Sequence, residues 1–128
     1  LDGFRWDYPE KVQTPNIHRI AGEGVRAKSL IPSFPSKTFP NHYTIATGLV
    51  PDHHGLVNNS FYDRELGRSY AMVNKEARFD PAFYGGEPIW ITAHKQHVRT
   101  ASYNWVGSDV AIQGIYPDYW KDYLFLRD

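Results

Sequence analysis

The sequence contains no cysteine and carries no net charge. Without cysteine there is no disulfide framework, no thiol nucleophile and no Cys-based zinc finger, although either redox compartment remains open. Fourteen Lys plus Arg balance fourteen Asp plus Glu. That balance excludes a nucleic-acid-coating protein whose affinity rests on bulk positive charge. No apolar run approaches the roughly 18 residues that a membrane-spanning helix needs, so no transmembrane segment is expected here. What the chain does have is apolar and aromatic content, at 41% and 16% of its 128 residues. The first is too much for a disordered tail, and the length suits one ordinary domain. The second calls for a core or a stacking site.

Both ends lead us to expect part of a longer protein. Leu1-Asp2-Gly3 opens without Met, and its Asp-Gly pair would close a strand that nothing precedes. The stretch from Tyr116 to Asp128 is aromatic and charged, with no stop signal. The missing signal peptide is therefore uninformative.

Between the ends, Thr14-Pro15 predicts a helix start, with the hydroxyl as cap, and Gly22 and Gly24 predict its stop. Val25 to Ile31 reads as a short strand. Pro40 and Gly48 bracket a helix to Thr47, with Thr38 at its N-terminal edge. Leu49 to Gly55 reads as a loop, and Leu56 to Tyr62 as a strand. Asp63 to Gly67 turns that strand back into Ser69 to Val73. Asn74 to Gly86 reads as irregular, Pro88 opens another helix, and Val98 to Tyr103 is a further strand. Helices alternating with single strands predict an α/β fold, a mostly parallel sheet flanked by helices.

Among residues that could carry chemistry, the six histidines come first. His42, His53 and His54 have no spacing that puts two on one helical face, so a structural or surface role is the plainer reading. His94 and His97 lie three apart with no carboxylate near them in sequence, and read as an exposed helix end. Thr38 is more specific. A helix N-terminus attracts oxyanions, and Lys37 adds charge, but a threonine hydroxyl needs a base, a metal or a strong field to attack. From the residues alone a capping threonine is the simpler account. Asp2 could share a site with Thr38 if both sit at the C-terminal edge of the sheet. Asn59 could donate its amide to a phosphate oxygen, or serve a turn with Asn58. Phe39, Tyr84, Trp90, Tyr103 and Trp105 are stacking candidates for a base, most of them also needed for a core.

The run Lys37-Thr38-Phe39-Pro40-Asn41-His42-Tyr43, with Thr47-Gly48-Leu49 and Pro51-Asp52-His53-His54-Gly55, resembles the nucleotide pyrophosphatase/phosphodiesterases of the alkaline phosphatase superfamily. The likeness takes in Asp2-Gly3-Phe4-Arg5, Gly85-Gly86-Glu87-Pro88-Ile89-Trp90 and Gln113-Gly114, and weakens after about Tyr119. It implies an alkaline-phosphatase-like α/β fold, incomplete in this segment, with residues 1–128 as the N-terminal part of one phosphodiesterase catalytic domain. It implies Thr38 as nucleophile in contact with zinc, and Asp2 as a ligand of one of two zinc ions. Asn59 would hold the phosphate oxygens, and Phe39 would line the pocket and stack on the nucleotide.

The remaining zinc ligands lie outside the segment. Asp109, Asp118 and Asp122 lack a matching His and receive no metal role. The segment alone is thus not expected to turn over. The expected activity is zinc-dependent hydrolysis of nucleotide phosphodiester or pyrophosphate bonds through a phosphothreonine, in a periplasmic or extracellular protein acting on a small nucleotide or phosphodiester. A phosphomonoesterase or lipid- or choline-phosphodiesterase of the same superfamily is the nearest alternative. An aromatic-rich binding module without catalysis is the more distant one. The oligomeric state is not legible.

Overall fold

The computed structural model describes residues 3–122. The chain divides into two compact units, one ending at Ile31 and the other beginning at Pro32.

In the first unit, α1 (Tyr8–Lys11) precedes α2 (Pro15–Glu23). Pro15 takes the first helical position of α2, where its fixed φ suits the helix and its missing N–H is not needed. Gly24 follows the last turn and donates its N–H to the Ile20 carbonyl at 2.9 Å. Thr14 does not cap with its hydroxyl; that group reaches the Pro9 carbonyl at 3.4 Å and the His18 ring at 3.1 Å instead. The strand expected over Val25 to Ile31 does not form. Val25 is 96% exposed, and no strand among the described residues of this unit offers it a ladder. β-branched residues favour a strand through packing on a neighbour, and without one the preference has nothing to act on.

The second unit is organised by α3 (Thr38–Thr47). Phe39, Tyr43 and Ala46 recur at i, i+4 and i+7, so they make one buried face. Gly48 ends the helix in the left-handed conformation at φ 70°, with its N–H on the Thr44 carbonyl. Within the stretch read as a loop, Pro51 opens a single turn, α4 (Pro51–His54). The chain then enters an antiparallel hairpin, β1 (Ser60–Asp63) with β2 (Arg68–Ala71). The Asp63 carboxylate accepts the N–H groups of Glu65 and Leu66 at 2.9 and 2.8 Å, which folds the expected connection.

Residues 74–86 are more regular than their sequence suggests. Asn74 caps α5 (Lys75–Arg78) by accepting from Ala77, and Asp80 caps a 3-10 turn (Pro81–Phe83) by accepting from Ala82. Beyond α6 (Ile89–Lys95), the short strands β3 (Ala101–Tyr103) and β4 (Tyr119–Lys121) pair in parallel. The molecule is therefore α/β, with the parallel sheet represented among the described residues by this one pair beside the hairpin.

Six of the aromatic residues are core, Trp90 among them. Phe39, Tyr43, Tyr70, Phe83 and Tyr84 pack with Leu56, Ile91 and Val106, all at most 4% exposed. Their hydroxyls are satisfied rather than stranded: Tyr43 donates to the Gly85 carbonyl at 3.0 Å, and Tyr84 to the Arg78 carbonyl at 2.9 Å. Burial pushes all three tyrosine hydroxyls, Tyr43, Tyr70 and Tyr84, well above the usual phenol range, so none ionises near neutrality.

Candidate active site

Thr38 is the first residue of α3, half-buried at a helix N-terminus. The residue before it, Lys37, is exposed and extended, and its side chain makes no cap. The free N–H groups of the first turn therefore need other acceptors. One is met from a distance in sequence: the Asn59 side-chain oxygen accepts the Phe39 N–H at 2.9 Å. Asn59 is itself held between two contacts. Its N–H donates to Asn58 Oδ1 and its carbonyl accepts from Met72, both at 2.8 Å, at the mouth of the hairpin.

That bond settles the amide orientation by chemistry. A backbone N–H can only donate, so the atom facing it is Oδ1, and the two N–H groups of Nδ2 are the ones left over. Asn59 thus fulfils the turn role and keeps a donor pair beside the residue that follows Thr38.

His42 supports the same turn from below. Its Nδ1 lies 2.7 Å from the Thr38 carbonyl, which can only accept, so the ring is protonated there. Its ring meets Trp105 edge-on at 5.0 Å, and the Trp105 indole donates to the His42 carbonyl at 3.3 Å. Asn41 also reaches the backbone ahead of Thr38, through both ends of its amide. Sequence reasoning passed over it. A signal existed: an asparagine one residue after Pro40, inside a helix, is a poor helix former that prefers to bond nearby backbone.

Phe39 is fully buried, with its ring 6.4 Å from that of Tyr70. The helical period explains this, because Phe39 is the first member of the buried face of α3. Among the other stacking candidates, Tyr84 and Trp90 are also core, Trp105 is half-buried, and Tyr103 is 81% exposed.

The histidines divide. His54 is fully buried and neutral: it accepts the Leu56 N–H on Nδ1 at 3.2 Å, so Nε2 carries the proton and donates to the Thr44 hydroxyl at 3.0 Å. Burial, above all, lowers its pKa. His53 is exposed. Against expectation, His94 does find a carboxylate, since Asp118 lies 3.6 Å from its Nδ1. The fold supplies that partner by bringing the start of β4 beside the residue before β3.

Asp2 lies outside the described residues, and so does any approach of Asp2 to Thr38. A zinc ion bound by protein takes four ligands, or three and a water. Among the described residues no three His, Cys, Asp or Glu converge. The described part of the chain does not by itself make a zinc shell.

A family model described as "Type I phosphodiesterase / nucleotide pyrophosphatase" matches residues 1–126. The chain belongs to that family. It is 45% identical over 125 residues to ectonucleotide pyrophosphatase/phosphodiesterase family member 3 of Bos taurus, covering 96% of this chain and 14% of that protein. To venom phosphodiesterase 2 of Crotalus adamanteus it is again 45% identical over 125 residues, covering 15% of that protein. The chain therefore spans about one-seventh of these relatives' length. Among solved structures it is similar to murine ectonucleotide pyrophosphatase / phosphodiesterase 5, in an inactive threonine-to-alanine form in complex with AMP. There the TM-score is 0.86 at 38% identity, over 97% of this chain and 33% of that one. The alkaline-phosphatase-like α/β fold expected from the phosphodiesterase motifs is thereby established.

Proposed function

We propose that residues 1–128 are the N-terminal part of one phosphodiesterase catalytic domain, and that the complete protein hydrolyses nucleotide phosphodiester or pyrophosphate bonds with Thr38 as nucleophile. The observation that carries this reading is the pairing of Thr38, on the first residue of a ten-residue helix, with Asn59, whose oxygen is committed to the next N–H. A phosphoryl group beside Thr38 would meet helix N–H groups and the Nδ2 donors at once. The murine relative in complex with AMP is an inactive form with a threonine replaced by alanine, which supports a threonine at the chemistry and a nucleotide as ligand.

In this reading the Thr38 oxygen attacks phosphorus, and its proton passes through solvent to the departing oxygen. The bond from phosphorus to the leaving oxygen breaks, and that oxygen departs with the electron pair. Asn59 holds the non-bridging oxygens as charge shifts onto them. Water then attacks the same phosphorus, and the bond to Thr38 breaks, restoring the hydroxyl.

Two zinc ions are the cofactor of this reading, held by Asp2 and Thr38 with ligands from outside this segment. When bound, zinc lowers the pKa of a coordinated hydroxyl and offsets phosphoryl charge. An extracellular or periplasmic location fits the names of the relatives, one an ectonucleotide enzyme and one a venom enzyme.

The test is Thr38→Ala in the full-length protein, assayed on a nitrophenyl ester of a nucleoside monophosphate. Loss of essentially all turnover, together with loss of an acid-trapped phosphothreonine, is expected. Retained turnover removes Thr38 from the chemistry.

A further inference from the structure

The segment from Ser33 to Lys37, which delivers Thr38 to its helix, has no helix or strand of its own. Pro35 in its middle lacks an N–H, so the segment cannot join a ladder throughout. Its polar backbone must be satisfied elsewhere. One side chain does most of this. The Asn41 oxygen accepts the Ser33 N–H at 2.8 Å. The Asn41 Nδ2 lies 3.3 Å from the Ser33 carbonyl, 3.0 Å from that of Pro35 and 3.0 Å from that of Lys37, so two N–H groups serve three acceptors. A backbone N–H can only donate and a carbonyl only accept, so this amide orientation is dictated at both ends.

The Lys37 carbonyl also takes the Asn41 backbone N–H at 3.2 Å, the first bond of α3. Asn41 is therefore anchored in the helix and grips the chain four, six and eight residues earlier. Asparagine has only two side-chain torsions, so the grip is short and stiff. Lys37, the residue that would ordinarily cap the helix, offers no side-chain bond.

We propose that Asn41 is a positioning residue for the reaction at Thr38: it fixes the Ser33–Lys37 segment so that the Thr38 hydroxyl is presented in one orientation at the helix N-terminus. Asn41 does not touch the reacting atoms in this scheme. It acts through the backbone on either side of Lys37, while Asn59 acts on the phosphoryl group. A nucleophile displaced by as little as about 1 Å can lose on the order of 10²-fold in rate. The inference rests on the proposed role of Thr38.

The experiment uses the full-length enzyme with Asn41→Ala, Asn41→Asp and, as a separate arm, Thr38→Ala. Asn41→Asp keeps an oxygen for the Ser33 N–H but removes the side-chain donors to the three carbonyls, with almost no change in shape. Thermal melts define a temperature at which each variant is fully folded, and kinetics on the nitrophenyl nucleotide ester are taken there. Both Asn41 variants should lower kcat by about 10- to 100-fold with KM within about threefold, and slow acid-trapped phosphothreonine formation by the same factor.

Should Asn41→Ala not fold, the aspartate variant decides alone. Wild-type kcat in a folded Asn41 variant, with Thr38→Ala inactive, overturns this inference and leaves the Thr38 reading intact. A raised KM with unchanged kcat also overturns it. An active Thr38→Ala overturns both.

Discussion

Asn59 and Phe39 lie twenty residues apart in sequence, yet the side-chain oxygen of the first accepts the backbone N–H of the second at 2.9 Å. Capping and phosphate binding, which look like rival roles for Asn59, use opposite ends of the same amide. The oxygen serves the helix, and the nitrogen is what remains for a ligand.

The two roles can be separated by substitution. Asn59→Ala in the full-length enzyme removes both ends. It should lower kcat by about 10²–10³-fold, the scale for one preorganised donor, and lower stability by roughly 1 kcal/mol for the lost cap. Asn59→Asp keeps an oxygen for the Phe39 N–H and replaces the donors with negative charge. It should melt close to the parent and lose at least as much kcat. An aspartate variant that turns over normally would leave Asn59 with capping alone.

His54 sets a pH dependence with a definite sign. Burial lowers its folded-state pKa, partly countered by hydrogen bonding to the Pro40 backbone and less by Asp52, whereas the unfolded chain titrates near 6.5. Below that value the unfolded state binds more protons than the folded one, so stability falls as pH falls. The His54 contribution is complete above about pH 6.5 and declines towards the lowered folded pKa, at most about 1.4 kcal/mol per pH unit for one proton. Denaturant titrations of parent and His54→Gln between pH 8 and pH 5 read this directly. The parent should lose more stability on acidification than the variant; parallel curves would show that His54 does not titrate in this window.

The legible parts of the fold were those governed by local rules. Pro15, Pro40 and Gly48 punctuate helices where they stand, and the Asp63–Gly67 connection closes a hairpin through its own carboxylate. Val25 to Ile31 failed because strand formation depends on a partner, and composition alone does not supply one. In the site, Thr38 at a helix edge was readable from spacing. The burial of Phe39 was readable too, since Phe39, Tyr43 and Ala46 carry the helical period of a buried face. The bond from Phe39 to Asn59 was not readable, because it joins elements that only the folded chain brings together.

A buried hydroxyl chain offers an asymmetric test. Tyr84 donates to the Arg78 carbonyl at 2.9 Å, so its oxygen is the acceptor for Tyr70, 3.0 Å away. Tyr70→Phe removes one bond and leaves Tyr84 still donating. Tyr84→Phe removes both bonds and leaves the buried Tyr70 hydroxyl without its acceptor. Unsatisfied buried groups lose about 1–3 kcal/mol, against roughly 1 kcal/mol for a single bond removed cleanly. Chemical denaturation should therefore rank Tyr84→Phe as the more damaging change. The reverse order would contradict the donor assignment.

Two glycines should respond to alanine with opposite signs. Gly22 lies inside α2, and a Cβ built there meets nothing within 4 Å. Gly22→Ala removes backbone freedom from the unfolded chain and should add up to about 1 kcal/mol of stability. Gly85 donates its N–H to the His54 carbonyl at 2.8 Å, and a Cβ there would sit 3.0 Å from that oxygen and 3.3 Å from its carbon. Those atoms are backbone, in the turn that holds the buried His54 ring, so they cannot swing aside as a flexible side chain would. Gly85→Ala should therefore lose on the order of 1–3 kcal/mol, the range for overpacking a close contact. It should also loosen the Tyr43 hydroxyl, which bonds the Gly85 carbonyl at 3.0 Å. Because Tyr43 stands on α3 between Thr38 and Gly48, the same substitution should lower kcat in the full-length enzyme, whereas Gly22→Ala should not. Equal melting temperatures for Gly85→Ala and the parent would mean that the turn yields more readily than its contacts imply.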